Sequence, residues 1–344
     1  MQNDIDYPLG DFTPNEGEPT ELAPGVLWLR FSLPFALDHI NLYALDDGDG
    51  WVLVDCGVSN AHSQGTWETL LAGPLAGRPV KRIIVTHFHP DHIGSAGWLV
   101  ERTGADLAMS RLEWEKAQEL HSKAESGFSD EVWRFYASTG IASDFVDKLR
   151  DLGNIYRPQV SPPPANYQCL SDGDVLQIGG NNWRVITGAG HSPEHVCLLS
   201  EEAGLMIGGD MLLPRITPII GVWEDDPTSD PLADYISFLR RAKDWPDGVL
   251  ILPSHNRPYH GLHARARYLL AHHDERLGVT LETCAEPSTA HDVMLRLFTR
   301  ELDAHSVRFA ASESLAHIHR LLHAGSLQRS TASNGIHRYA QVGA

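Results

Sequence analysis

Short apolar runs separated by turn residues dominate the first hundred positions. GVLWLRF, HINLYAL, GWVLVDCG and KRIIVTH are typical of strands, and DDGDG makes the turn between the second and the third. AHSQGTWETLLAGPL and IGSAGWLVERTG are predicted to be helices, the latter ending at Gly104. This order of three strands, helix, strand and helix predicts sheets covered by helices rather than a helical bundle.

The pattern becomes helical and more polar from Arg111 to about Leu152. A proline-rich stretch, YRPQVSPPPANY, ends that segment, and strand-like runs then resume. They are DVLQIGG, NWRVITGAGH, HVCLLSEEAG, GLMIGGDML and, after a helix from about Pro231 to Lys243, GVLILPSH. We therefore predict two β-rich halves separated by a helical insertion at about 111–152.

The two ends of the chain differ in pattern from its middle. Residues 1–23 are rich in Asp, Glu, Pro and Asn, which favours a flexible or loosely docked extension. We predict a main domain over residues 24–280 that closes with the amphipathic helix GLHARARYLLAHHDERLGV. Two further helices, TAHDVMLRLFTREL and AASESLAHIHRLLHAG, and two short strands around SNG predict a small winged-helix-like domain over 281–344.

Composition and charge narrow the class of protein. The 344 residues include 27 Lys and Arg against 45 Asp and Glu, a formal net charge of −18, which disfavours nucleic acid as the main partner. The four cysteines form no CxxC pair, no secretory signal is visible, and no apolar run approaches the roughly 20 residues of a membrane span. These features predict a cytoplasmic protein with free thiols and no membrane association, and they leave the oligomeric state open.

Three histidines and an aspartate crowd into six positions of THFHPDH. His87 and His89 alternate at the end of a predicted strand, so both side chains emerge on one face. Asp91 and His92 follow Pro90, where the next helix begins, and can turn over the same cavity. Histidine nitrogens joined by a carboxylate suit zinc, iron or manganese. HxHxDH at a strand-to-helix junction therefore predicts a metal site.

Four other candidate residues lie at the ends of predicted strands, where an open sheet presents its sites. They follow WRVITGAG, LMIGG, VLILPS and WVLV in the sequence and are His191, Asp210, His255 and Asp55. One such residue would be coincidence, but four of them alongside HFHPDH form a pattern.

With these motifs the sequence resembles the metallo-β-lactamase-fold hydrolase superfamily. The matching pieces are LVDCG, THFHPDH, GAGHSPEH, IGGD and PSH, in the family's order over residues 26–256. The resemblance implies an α+β fold, a four-layer αββα sandwich with the site at one edge of two sheets. It also implies a ligand set for two metals: His87, His89 and His191 for one, Asp91, His92 and His255 for the other, and Asp210 as the bridge. Asp55 matches a position that orients ligands without binding metal.

Such a set implies two divalent metal ions, with zinc as the first choice and iron or manganese as alternatives. Two cations would lower the pKa of a bridging water, and the resulting hydroxide would attack an acyl carbonyl. Asp91 could accept a hydrogen bond from that hydroxide and is the candidate catalytic residue. His195 and His260 lie beside the motifs, and we assign them to positions next to the ligands rather than to the metals.

The insertion and the loop after Asp210 are the candidates for substrate selection. We expect contacts with substrate from Trp133, Tyr136, Arg215 and Trp223; the alternative for the aromatic residues of the insertion is that they pack it onto the body. Large aromatic side chains in the insertion of a cytoplasmic protein favour hydrolysis of a small acyl substrate, an ester, a thioester such as an acyl-CoA, or a lactone.

Two other functions stay open at this point. A metal-dependent ribonuclease or other nucleic-acid phosphodiesterase would use the C-terminal domain to grip a backbone, but the acidic charge disfavours it. A DNA-binding regulator that senses a ligand at the metals has least support, because the C-terminal tail has no helix dense in Arg and Lys.

Overall fold

The computed structural model describes residues 4–34, 37–123, 130–143, 145–147, 154–299, 302 and 304–343. Seven strands form the first sheet in sequence order, β1 to β7, antiparallel as far as β4 and parallel from there. Their bounds are Thr20–Ala23, Val26–Ser32, His39–Asp46, Trp51–Val54, Val80–Ile84, Asp106–Ser110 and Gln168–Leu170.

Five strands form the second sheet in the order β12-β11-β10-β9-β8. All its neighbours are antiparallel except β11 and β12, which run parallel. From β8 to β12 the bounds are Val175–Ile178, Asn181–Gly188, His195–Ser200, Leu205–Gly209 and Leu250–Pro253. A separate hairpin, β13 (Leu327–Thr331) with β14 (His337–Gln341), lies near the C-terminus.

Helices connect and cover these sheets. From α1 to α9 they are Ala61–Ala72, Pro90–Ile93, Ala96–Thr103, Arg111–Ser122, Asp130–Ser138, Pro231–Arg241, Leu262–Thr283, Ala290–Leu297 and Ala304–His323. Short 3-10 turns occupy Arg157–Gln159 and Ala242–Asp244. Within the described part of the chain, none of the helices has the length and apolar character needed to cross a membrane.

Side chains that point alternately to the two faces of each strand create the buried layers on both sides of the sheets. On β3, Ile40 and Leu42 belong to the buried cluster that includes α1 and α3, whereas Tyr43 and Leu45 belong to the cluster between the two sheets. Successive side chains of a strand point to opposite faces, so a strand buried on both faces must be apolar at nearly every position. The outer face of the second sheet is covered in turn by α6 and α7. The predicted four-layer αββα sandwich is therefore confirmed.

The C-terminal unit packs against the helices of the second sheet. Val293, Ala316 and Tyr339 lie in the same buried cluster as Leu232 of α6 and Leu269 of α7. Two helices followed by a hairpin are present in the predicted order, although the first ends at Leu297 and the second already begins at Ala304. This unit and the main domain share one continuous hydrophobic core.

The N-terminal segment is also attached to the body of the protein. β1 pairs with β2, and Asp6 forms an isolated bridge with His260. The guanidinium of Arg257 lies 4.5 Å from the centroid of the Tyr7 ring. The segment that the sequence marks as an extension thus contributes an edge strand and a contact with the second sheet.

The insertion contains the helices α4 and α5. Phe145 and Val146 pack with Tyr136 against residues of the C-terminal unit, among them Met294 and Ala311. The rest of the predicted insertion, residues 124–129, 144 and 148–152, lies outside the described residues.

A buried ion pair joins α7 to α9. Arg276 Nη2 lies 3.1 Å from Glu313 Oε1, and both side chains are largely buried. Burial raises the pKa of Glu313 to about 7 from the ordinary 4.5, although the charge of Arg276 opposes the shift. Because the native state holds this proton more tightly than the unfolded state, the stability due to Glu313 falls as the pH rises from 4.5 to about 7.

Replacing Arg276 with Met should therefore destabilise the protein in a pH-dependent way. The change leaves a buried carboxylate uncompensated, which costs about 3–5 kcal/mol above neutral pH and clearly less at pH ~5, where Glu313 is protonated in the native state. Urea unfolding of both proteins at the two pH values measures the difference. The double variant Arg276→Met, Glu313→Gln should recover most of the loss at high pH; equal losses at both pH values would contradict the assignment.

Candidate metal centre

The candidate ligands converge from strand ends at one edge of the two sheets. In the first sheet, β5 leads to His87 and His89, and the short helix α2 that follows carries Asp91 and His92. The second sheet contributes its residues from the ends of β9, β11 and β12: His191, Asp210 and His255. The parallel strands β4 and β5, and β11 and β12, bring their carboxyl ends to the same edge, as sheets of this kind do at ligand sites.

Three histidines form the first group of converging atoms. His87 Nε2 lies 2.8 Å from His89 Nδ1 and 3.3 Å from His191 Nε2. His191 Nδ1 donates a hydrogen bond to the Ile219 carbonyl over 2.9 Å, which leaves its Nε2 with a lone pair for a cation. This group can hold one metal ion.

Asp91, His92 and His255 form the second group. Asp91 Oδ2 lies 3.7 Å from His92 Nε2 and 3.4 Å from His255 Nε2. Asp210 lies between the two groups, because its Oδ1 is 3.6 Å from His92 Nε2 and 3.5 Å from His255 Nε2, while its Oδ2 is 3.5 Å from His191 Nε2. One carboxylate is therefore placed to touch cations in both groups.

Three of the candidate ligand atoms are spaced for a metal rather than for hydrogen bonds with one another. Among the described residues, His92 Nε2, Asp210 Oδ1 and His255 Nε2 are buried without a hydrogen-bond partner. Their separations of 3.5 and 3.6 Å are long for hydrogen bonds. Ligand atoms at about 2.0–2.2 Å from a tetrahedral metal lie roughly 3.3–3.6 Å apart. Since buried polar atoms without partners are costly, the residues fit divalent cations.

The charge state of the site favours exchange of protons for a cation. Burial lowers the pKa of His92, but the surrounding carboxylates more than offset it and raise this pKa to about 9. Burial and the neighbouring histidines lower the pKa of His89 to about 3. Burial raises the pKa of Asp91, but the facing imidazoles bring it down to about 2. A cation must displace the proton of His92, so its affinity should rise with pH.

Asp55 fixes the orientation of His92. Asp55 Oδ2 lies 2.8 Å from His92 Nδ1, and the same carboxylate accepts hydrogen bonds from the Thr86 N–H and hydroxyl over 2.7 and 2.9 Å. The Asp55 backbone has φ 61°, which is uncommon for a residue with a side chain. A proton held on Nδ1 leaves a lone pair on Nε2, which is directed at Asp91 and Asp210 and can bind a metal.

His195 supports the bridging residue from behind. Its Nε2 accepts a hydrogen bond from the Asp210 N–H over 3.1 Å, and its ring stacks on His87 at 4.7 Å between centroids. Gly209 has φ +53°, and a Cβ at that position would lie 2.3 Å from His195 Cε1. Only glycine allows the backbone to approach this ring so closely.

His260 has its hydrogen bonds elsewhere. Its Nδ1 lies 3.1 Å from the Val249 carbonyl, and its backbone pairs with Asp6. These contacts tie the N-terminal segment to the end of the second sheet.

The loop after β11 is held by α7 of the main domain and by α9 of the C-terminal unit. Arg265 of α7 donates hydrogen bonds to the carbonyls of Leu213 and Ile216 over 2.6 and 2.7 Å. The Val222 N–H donates to the Ser312 carbonyl of α9 over 3.0 Å. Because this loop also supplies the carbonyl that binds His191, α7 and α9 help to position the site.

Two of the four expected substrate residues are accessible to solvent. Trp133 on α5 is 36% exposed, and Arg215, in the loop after β11, is exposed. Ile216, next to Arg215, is apolar and yet 37% exposed.

The other two expected substrate residues contact the C-terminal unit. Tyr136 is buried; its hydroxyl accepts a hydrogen bond from Arg308 Nε over 2.9 Å and donates one to Glu224 over 3.1 Å. The Trp223 ring lies 5.4 Å from the Arg308 guanidinium. These contacts join both the insertion and the loop after β11 to α9.

Sequence reasoning missed two residues that form hydrogen bonds with candidate ligands or with the loops that carry them. The carbonyl of His39 accepts a hydrogen bond from His255 Nδ1 over 2.8 Å, and a backbone partner leaves no signal in residue type. Glu113 is completely buried in the first turn of α4 and bonds to the loops that carry the first group. In the sequence nothing distinguishes it from Glu115 or Glu119 of the same helix.

Comparison with known proteins agrees with this geometry. The family model for the metallo-beta-lactamase superfamily matches residues 36–255, and the model described as the metallo-beta-lactamase-like C-terminal domain matches residues 277–342. The chain therefore belongs to the metallo-β-lactamase superfamily. A crystal structure of a beta-lactamase domain protein from Burkholderia ambifaria is similar over 99% of both chains, with 40% identity and a TM-score of 0.92.

Curated relatives are more distant. A probable metallo-hydrolase of Bacillus subtilis, YqjP, is 26% identical over 68% of this chain and 72% of its own length. A protein of Aspergillus fumigatus named atrochrysone carboxyl ACP thioesterase is 24% identical over 66% of this chain and 55% of its own length.

Replacing Asp55 with Asn tests how the second group is oriented. An amide N–H facing His92 Nδ1 would move the ring proton to Nε2 and remove the lone pair that faces Asp91 and Asp210, so we expect metal affinity to fall about 10–100-fold. Zinc titrations in competition with a chromogenic chelator measure this affinity. Asp106→Asn, at the exposed start of β6, is the control; equal affinities for the two variants would contradict the role of Asp55.

Proposed function

We propose that this member of the metallo-β-lactamase superfamily hydrolyses a small ester or thioester with two divalent metal ions, zinc in the first instance. The observation that carries the proposal is the convergence of buried nitrogen and oxygen atoms, three of them without partners among the described residues. We propose that seven side chains from both sheets hold two cations that share one carboxylate.

Each proposed ligand has a position in the cluster. His87, His89 and His191 would hold one metal, and Asp91, His92 and His255 the other, with Asp210 shared between them. Metals bound there would lower the pKa of water towards neutrality and polarise the carbonyl oxygen of the substrate. Iron and manganese accept the same nitrogen and oxygen donors, so the donor set alone does not select zinc.

Asp91 is the proposed catalytic residue of the chain. Its low pKa, about 2, keeps the carboxylate ionised, so it accepts a hydrogen bond from the attacking water and orients it. Its side chain is 16% exposed, against 9% for Asp210, so Asp91 lies nearer to the opening of the site. Asp210 is the more enclosed carboxylate, which suits a bridge.

The thioester preference rests on the relatives and on two exposed apolar side chains. The fungal relative is named as an ACP thioesterase, and its similarity extends over 66% of this chain. Trp133 and Ile216 are exposed apolar side chains on the insertion and on the loop after β11, and they suit an acyl chain. We propose that Trp133, Arg215 and Trp223 contact the substrate. Tyr136, the fourth residue expected to do so, is not included in the proposal because it is buried and its hydroxyl bonds to Arg308 and Glu224.

The net charge and the free cysteines support the substrate class and the cellular location proposed for this reaction. A net charge of −18 disfavours a polyanionic substrate, so we place RNA hydrolysis second. Cys56, Cys169, Cys197 and Cys284 are all free, as in proteins of reducing compartments, and we propose a cytoplasmic location.

Thiol release from a panel of acyl-CoA esters tests this function. Protein loaded with zinc or with manganese should release thiol, and Asp91→Asn should lower kcat at least ~100-fold, because the amide cannot replace a carboxylate that accepts a hydrogen bond from the attacking water and orients it. Release is followed with a thiol-reactive dye, and the control variant Asp106→Asn should release thiol at the same rate as the wild-type protein.

Thiol release no faster than that of Asp91→Asn, from protein shown to contain metal, would contradict the thioester assignment. Cleavage of lactones by the same protein would keep the acyl hydrolase, whereas metal-dependent cleavage of single-stranded RNA would favour the phosphodiesterase.

A further inference from the structure

Glu113 is a buried carboxylate next to the metal centre that the proposed reaction leaves without a role. It lies in the first turn of α4, directly after β6, and its side chain is fully buried. Its Oε1 accepts hydrogen bonds from the Ser192 hydroxyl over 2.6 Å and the Glu194 N–H over 2.7 Å. Its Oε2 accepts one from the Phe88 N–H over 3.0 Å. A buried carboxylate is costly, so its three donors point to a specific requirement.

The three donors lie in the two segments that carry the first group of histidines. Phe88 separates His87 from His89 at the end of β5, in the first sheet. Ser192 directly follows His191, between β9 and β10 of the second sheet. One carboxylate therefore links, across the two sheets, the backbone segments whose spacing determines where the three imidazole nitrogens meet.

Further contacts hold this link in place from both sides. Glu194 Oε2 accepts a hydrogen bond from the Leu112 N–H over 3.0 Å, and the Ser110 hydroxyl donates to the Glu194 carbonyl over 2.6 Å. The Tyr156 hydroxyl donates to the Phe88 carbonyl over 2.8 Å. The start of α4 and the loop after β9 thus exchange hydrogen bonds in both directions.

The second group is positioned by other residues. His92 is oriented by Asp55, and His255 by the carbonyl of His39. Asp210 receives its support from His195. The hydrogen bonds of Glu113 described above reach only the segments of the first group.

We propose that Glu113 is a positioning residue that holds His87, His89 and His191 at the spacing required by the first metal ion. This inference rests on the proposed two-metal function. Loss of the carboxylate should weaken the first metal and leave the second largely unaffected. Glutamine has nearly the same shape, but its amide N–H₂ would face an N–H or hydroxyl donor in place of one accepting oxygen.

The test measures metal binding to the full chain with and without the carboxylate. In a zinc titration against a chromogenic chelator, Glu113→Gln should lose about 10–100-fold in affinity at one of two sites. Glu115→Gln, an exposed residue of the same helix, is the matched control and should bind like the unchanged protein. The cobalt-substituted proteins give an independent readout, because distortion of a nitrogen-rich site changes the visible absorption bands.

Two variants, each lacking one of the two metal sites, identify which site Glu113→Gln weakens. With the second site removed by His255→Ala, Glu113→Gln should still weaken the remaining metal. With the first site removed by His89→Ala, Glu113→Gln should have no further effect. Equal loss at both sites, or no loss in the His255→Ala background, would overturn the inference.

Two controls separate this inference from folding and from the proposed function. If metal-free Glu113→Gln unfolds at a lower temperature than Glu115→Gln, Ser192→Ala replaces it; that variant keeps the carboxylate, removes one donor, and should weaken the same site to a smaller degree. Unchanged binding by Ser192→Ala would then count against the inference. If the wild-type protein binds no metal, the two-metal function itself is refuted. If Glu113→Gln binds two metals with the same affinities as the wild-type protein, only the role of Glu113 is refuted.

Discussion

The structure depends on the enclosure of seven candidate metal ligands at one edge of two sheets. Several of their nitrogen and oxygen atoms are buried and too far apart for good hydrogen bonds, which is expensive unless cations satisfy them together. The opposing pKa shifts of His92 and Asp91 follow from the same enclosure. A site of this kind requires a protein framework rigid enough to keep several imidazoles, and two carboxylates, close to one another.

That framework comes from residues that bind no metal. Asp55, His195 and the carbonyl of His39 each orient one ligand, and each belongs to a different strand or strand end. Arg265 of α7 holds the loop after β11, and the C-terminal unit contributes through the contact of α9 with the same loop. Since this unit shares its hydrophobic core with the second sheet, its contribution to the site is structural, whatever else it binds.

The sequence predicts the strands and the ligand candidates well because both leave local patterns. An apolar run such as KRIIV indicates a strand buried on both faces, and THFHPDH places its histidines at the end of that strand. Positions held through backbone atoms leave no such pattern, which is why His39 escaped notice. Glu113 escaped for another reason: its burial depends on the packing of α4 against two distant loops.

The aromatic residues of the insertion illustrate the same limit. Tyr136 and Trp133 lie three residues apart on one helix, yet the former is buried against Arg308 and Glu224 and the latter is partly exposed. Composition indicates that such side chains pack against something, but only the tertiary structure shows against what.

Anomalous diffraction at the zinc edge, from crystals grown with zinc, tests most directly the central claim that the seven side chains bind two metal ions. Two peaks are expected, one among the three histidines and one beside Asp91, His92 and His255, both about 2.0–2.2 Å from Asp210. A single peak, or peaks that do not touch Asp210, would contradict the account.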